Sequence, residues 1–176
     1  MRALVVYESM FGNTAEIAES IARGLRQHGE VDVMGVDRPV PALSQFDLLV
    51  VGGPTHAFGP SRPQTRRDAA GRPGGDRGTG VETGAREWLA SAATAGAGTH
   101  AAAFGTKVAK PPWLPGSAAR GIGRALRRRG FTLTAQPVDF YVTDMAGPLA
   151  ATELDRARAW GARLGRVESG LVSRKS

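Results

Sequence analysis

Cysteine is absent from the 176 residues. No disulfide, thiolate metal site, iron–sulfur cluster or cysteine nucleophile can therefore be built from this chain. Histidine is scarce as well, and His28, His56 and His100 are too scattered for a local metal motif, so each reads as a surface or packing residue. No apolar run approaches the ~18 residues that would span a bilayer, and a strand pattern that begins almost at Met1 leaves no room for a secretory signal. The expected location is cytoplasmic. No nucleophile stands beside a base in any recognisable pattern, so hydrolysis has no candidate residues. At this length the chain reads as one domain over residues 1–168, with a basic Gly/Pro-rich arm near 60–82 and a frayed tail from Ser169.

Acidic residues are missing from one long stretch. The formal charge is +7, but residues 1–58 carry seven acids and four bases, residues 59–138 four acids and thirteen bases, and residues 139–176 five acids and six bases. From Trp88 to Val138 there is no carboxylate at all, while Arg120, Arg124, Arg127, Arg128 and Arg129 fall on one helical segment. Such a patch gives salt-dependent affinity for phosphates. No base-reading motif and no interleaved aromatic platform accompanies it, so a solvated helix end is the favoured reading and nucleic acid is a disfavoured partner. Arg127 to Arg129, just before Gly130, also suit the negative end of a helix dipole.

What the chain does have is a strand, a hydroxyl-rich loop and an amphipathic helix in immediate succession. The strand is Ala3–Tyr7; the helix shows its apolar stripe at Ile17, Ala18, Ile21, Ala22 and Leu25; between them lie Ser9, Asn13 and Thr14. A helix N-terminus offers unpaired amides and the positive end of the dipole, so it binds an anion without help from Lys or Arg. None lies between Ala3 and Ala22. A P-loop would need Gly-Lys-Ser/Thr, and here Asn13 follows Gly12. The nearest approach to a dinucleotide fingerprint, Gly121 and Gly123 with Leu126 in the last position, falls inside a basic helix pattern.

Tyr7, Ser9, Gly12 and Thr14 together match the pattern aromatic, any residue, Ser/Thr, two residues, Gly, any residue, Thr. In this the segment resembles the flavin mononucleotide (FMN) phosphate loop of the flavodoxin family, short-chain type. The resemblance implies that Ser9, Met10, Phe11, Gly12, Asn13 and Thr14 surround the phosphate. A second reading of the same residues stands beside it: an ordinary turn capped by Asn13, with Glu16 as its capping-box partner.

Strand and helix patterns alternate along the rest of the chain, which implies a parallel sheet covered on both faces. Strands are predicted at Ala3–Tyr7, Val31–Val36, Phe46–Gly52, His100–Phe104 and Thr132–Val142, the last interrupted by Pro137 and so at an edge. Helices are predicted at Thr14–Gln27, Thr83–Ala95, Ser117–Arg129 and Ala150–Val167, with a short or irregular link after the second strand. The sum is an α/β, flavodoxin-like doubly wound fold, a five-stranded parallel sheet in the order 2-1-3-4-5. Its ligand site is expected outside the carboxyl ends of the strands, beside the first strand, where loops 8–14, 53–66 and 105–117 meet.

The second loop, Gly53 to Arg62, resembles the family's first loop against the flavin ring. By that resemblance Phe58 packs on the ring and the Gly59 peptide reorients to bond it, with Pro54, Thr55, His56 and Ala57 along the ribityl chain or ring edge. The bland alternative for Phe58 is a core plug under the loop. In the third loop, Gly105, Thr106 and Lys107 would line the site, and Trp113 covers the second flavin face or packs on the scaffold. This loop departs from the family's acidic pattern, with Lys107, Lys110 and three prolines. A lysine such as Lys107 near the ring would ease reduction to the anionic flavin, so a less reducing cofactor is expected than in acidic flavodoxins. The implied function is an FMN-binding one-electron carrier between redox partner proteins, whose docking surfaces would be acidic. Two other functions fit the same scaffold, the second through its arginine segments and an acidic partner. One is an FMN-dependent NAD(P)H:quinone-type reductase with the arm after Pro60 as lid, the other a flavin-free interaction domain. A phosphorelay receiver would need an acid where Gly52, Gly53 and Pro54 stand.

Overall fold

Four consecutive apolar residues, Ala3 to Val6, give the first strand no face that tolerates water, and all four are buried in the computed structural model of the protein. The structure describes residues 1–56, 59–71, 82–92, 99–109 and 116–173. Within them the strands are β1 (Arg2–Tyr7), β2 (Glu30–Gly35), β3 (Leu48–His56), β4 (Gly59–Pro60), β5 (His100–Val108), β6 (Thr132–Leu133) and β7 (Val138–Val142). The helices are α1 (Asn13–Leu25), α2 (Pro63–Ala70), α3 (Ala85–Ser91), α4 (Ala118–Arg128) and α5 (Glu153–Val172). None is long and apolar enough to cross a membrane.

The sheet runs β2-β1-β3-β5, all parallel, and β6 and β7 both pair with β5. This is the doubly wound order expected, with one difference. The predicted last strand is two strands: β6 pairs at His100 and Ala101, and β7 resumes opposite Phe104 to Val108. The break falls at Pro137, which has no N–H to give a ladder. β2 returns to β3 through a single 3-10 turn, Leu43–Gln45, as the irregular link required.

Period-two alternation divides the core into two layers. Leu4, Val6, Leu49 and Val51 face Trp88, Leu89, Ile122 and Leu126 of α3 and α4, while Ala3, Val5, Leu48 and Val50 face Ile17, Ile21, Leu25, Trp160 and Leu164 of α1 and α5. α1 and α5 cross closely because of Gly24 and Gly161: a Cβ on Gly24 would strike the carbonyl of Arg158, and one on Gly161 the carbonyl of Ile21.

Two boundaries differ from expectation in ways that shape the site. β3 continues through Pro54, Thr55 and His56 because β4 folds back on it, Thr55 opposite Pro60 and His56 opposite Gly59. β5 likewise continues through Gly105, Thr106 and Lys107 because β7 pairs with them. Residues expected in loops are thus fixed in strands. The segment after Pro60, expected to be an irregular arm, begins with helix α2.

Candidate functional site

The chain leaves the sheet at Tyr7, and the amide of Glu8 donates to the carbonyl of Gly52 at 3.0 Å, fixing the turn against β3. Gly12 then takes a left-handed conformation, φ 88°, immediately before α1, and a Cβ placed on it would meet nothing within 4 Å. As the capping residue it offers no side-chain acceptor. Among the described contacts, the first-turn amide that goes to a side chain is that of Ala15, which donates to Ser9 Oγ at 3.3 Å. An open space thus stands over the positive end of a 13-residue helix.

The alternative of an ordinary capped turn does not hold. Asn13 lies inside α1, and its Nδ2 donates instead to the carbonyl of Ala146 at 3.1 Å, clipping the loop after β7 to the helix start. Met10 is 1% exposed, so it faces the core and only its backbone lines the loop. Thr14 is buried too, its hydroxyl 2.7 Å from that of Thr106. Both hydroxyls, expected to face a ligand, are shared between α1 and β5. Of the predicted phosphate-loop side chains, Ser9 keeps its hydroxyl against the first turn, and Phe11 is half-buried beside it.

Two further predicted segments converge on the same end of the sheet. Thr55 Oγ1 accepts from the amide of Ala118 at 3.0 Å, so it caps α4 rather than facing outward. Ser117, the N-cap of α4, accepts from the amide of Arg120 and donates to Asp139 Oδ1, both at 3.0 Å. Asp139 Oδ2 in turn lies 3.3 Å from Lys107 Nζ, and the ammonium sits 5.7 Å from the centre of the Tyr141 ring. Lys107 therefore has a carboxylate partner, which the sequence reading of a lone cation did not include. Pro54, His56 and Gly59 are half-buried in the β3–β4 hairpin, and Gly105 is buried beside Asp139 and Ala118. Ala57, Phe58 and Trp113 lie outside the described residues.

Residues 4–62 match the model of the flavodoxin domain family, a span that holds the phosphate-loop motif and the β3–β4 hairpin. Solved structures similar to this chain include flavodoxins. The chain has the flavodoxin fold, and its first third matches the family's domain model. A flavodoxin from the domain Archaea is 21% identical with a TM-score of 0.66, covering 96% of this chain and 99% of that one. Oxidised Flavodoxin 1 from Bacillus cereus is also 21% identical, TM-score 0.66, covering 94% and 98%. A short-chain flavodoxin associated with a non-canonical PDU bacterial microcompartment is 20% identical, TM-score 0.57, covering 100% and 99%. No protein of curated function matches significantly in sequence.

Sequence reasoning missed a buried polar cluster directly behind this flavodoxin-type loop. Glu8 is 1% exposed; its Oε2 accepts from the amide of Ala85 at 2.9 Å, while Oε1 has no hydrogen-bond partner. Burial pushes its carboxyl above the usual carboxylate range, and the Ser61 hydroxyl, the Ala85 amide and the Arg66 guanidinium only partly offset this. Arg66, on α2, is fully buried: Nη1 donates to Ser61 Oγ at 3.0 Å and lies 3.2 Å from Glu87 Oε2, and Nη2 donates to the carbonyl of Glu82 at 3.0 Å. One arginine of the basic arm is thus the pin that holds α2 against α3. The local signal was weak, because Glu8 reads as one more polar loop residue and Arg66 as one more charge in a run.

Proposed function

We propose that the protein binds FMN and carries electrons between redox partner proteins. The reading is supported chiefly by the open N-terminus of α1 above Gly12, where a left-handed glycine without a side-chain acceptor leaves open space at the positive end of the helix, beside the Ser9 hydroxyl. The Ser9 hydroxyl and the backbone amides of residues 10–14 would hold the phosphate. The hairpin residues 54–59 and the segment that carries Trp113 would flank the ring. When bound, FMN supplies one- and two-electron transfer, and the protein sets the field around it.

In that field the chain's own contribution is close to balanced at the end of β5, since Asp139 largely offsets the charge of Lys107. The expected easing of flavin reduction by a lone lysine is correspondingly reduced. The Thr14–Thr106 hydroxyl pair and the Thr55 and Ser117 caps tie α1, α4, β3 and β5 into one rigid rim. Such a rim needs little reorganisation when charge arrives, which suits a carrier.

The test is the visible spectrum of the purified protein before and after loading with FMN and removal of the free fraction. Retained flavin with quenched fluorescence is expected. A colourless protein that does not load would overturn the reading, and rapid bleaching of the bound flavin by a nicotinamide alone would replace the carrier with a reductase.

A further inference from the structure

Outside the flavin loops, α3 and α4 leave between them a cleft of about 660 Å³ whose walls carry Arg86, Arg124, Arg128 and Arg129 and whose floor includes Leu89 and Ile122. Among the described residues none of these four arginines forms an ion pair. Arg129 serves the scaffold, its two Nη atoms donating to the carbonyls of Ala92 and Ala90 at 2.7 and 2.8 Å, so it closes the C-terminus of α3. Arg86, Arg124 and Arg128 are exposed. Arg124 and Arg128 are one turn apart on α4, where side chains share a face, and Arg86 stands across from them on α3. The acid nearest in sequence, Glu87, is engaged by Arg66 and by the amide of Gly84 at 3.0 Å. Among the described residues the cleft is therefore cationic on both walls, apolar beneath, and without a counter-charge paired to Arg86, Arg124 or Arg128.

We propose that this cleft docks an acidic segment of a partner protein, with carboxylates reaching Arg86 on one wall and Arg124 and Arg128 on the other, and with a small apolar side chain over Leu89 and Ile122. The proposal rests on the carrier reading for its partner and supplies the place where that partner sits. Two features favour a protein over a nucleic acid. The floor is aliphatic, and none of the described residues lining it is an aromatic on which a base would stack. The cleft also abuts the flavin hairpin: Pro60 of β4 lines it and packs on Gly121, and the Arg86 guanidinium comes within 3.6 Å of where a Cβ on Gly59 would stand. A partner seated here touches the strand that returns from the expected ring contact at Phe58. Binding there should weaken with salt, since the arginines are exposed and the screening length falls to ~10 Å near 0.1 M.

The test is an NMR titration of the isotopically labelled, FMN-loaded protein with a short peptide of Asp, Glu and Leu, read at about 20 and 150 mM salt. A single-stranded oligonucleotide of equal charge and the Asn/Gln version of the peptide are the comparison probes. The expected footprint is confined to residues 86–90 and 120–129, is lost with the amidated peptide and weakens with salt. Affinity should fall about tenfold or more in R124E/R128E and hold in R158E/R163E, which reverses exposed charges on α5 in the opposite layer. A footprint spread over both layers, an equal loss in both variants, no footprint at all, or tighter oligonucleotide binding at the same residues would overturn the proposal. Flavin retention, read on the same samples, separates the two readings: a protein that cannot hold FMN fails the carrier reading, whereas a missing footprint on a yellow protein fails the docking site alone.

Discussion

The Thr14–Thr106 contact offers a sharp test of how the candidate phosphate loop is fixed. The two hydroxyls are 2.7 Å apart, with residue exposures of 2% and 4%, so each is the other's partner in a place with little water. Thr→Val preserves shape and removes the hydroxyl. T14V or T106V alone strands one buried hydroxyl, at a cost of about 1–3 kcal/mol, which in a domain of this size lowers Tm by roughly 2–4 °C per kcal/mol. The double variant leaves no orphan and replaces a polar pair by two methyls, so it should lose less than the sum of the singles. The coupling, read by urea unfolding at fixed pH and salt, should lie within about 0.5–3 kcal/mol. Because both side chains are buried and bonded to each other, FMN affinity of the double variant should stay within about threefold of the parent, a change of ~0.6 kcal/mol. Additive singles would show that the hydroxyls do not serve each other. A large affinity loss with little change in stability would show that they serve the ligand instead.

Gly12→Ala should cost about 1–2 kcal/mol through its left-handed backbone, and should lower FMN affinity tenfold or more because the new methyl enters the open space over the helix; fluorescence quenching and denaturation measured together check the split. Glu8 gives a pH signature. Its native pKa lies above the ordinary 4.5, so the native state holds the proton more firmly, and its contribution to stability is greatest below that value and falls as pH rises through the native pKa. Glu8→Gln keeps an acceptor for the Ala85 amide and removes the buried charge, so stability compared at pH 5 and pH 8 should decline less in the variant; an unchanged decline would place the effect elsewhere. Asp139→Asn leaves Lys107 without its carboxylate and should raise the flavin midpoint potential, whereas a fall on potentiometric titration would contradict the charge balance described at β5.

Much of the architecture is legible in the chain because it follows from local periodicity. An unbroken apolar run at Ala3–Val6 can only be a central parallel strand, the stripe from Ile17 to Leu25 can only be a helix face, and Pro137 must interrupt an edge. The candidate phosphate loop is legible for the same reason, since strand, Gly12 and helix are consecutive and their geometry is set by near neighbours. What stayed hidden depends on residues far apart in sequence. The extension of β3 through His56 needed β4, and that of β5 through Lys107 needed β7. The direction of Thr14 was set by Thr106, the use of Asn13 by Ala146, and the charge of Lys107 by Asp139. Burial of Glu8 and Arg66, two charged residues that composition assigns to solvent, was decided by α2 and α3 closing over the same spot. The sequence by itself determined which segments form elements and where the first strand turns through Gly12 into a helix, because those are short-range properties of backbone and pattern. Only the tertiary structure decided which polar groups remain available at the site, because each hydrogen bond there is a competition among partners brought together by folding.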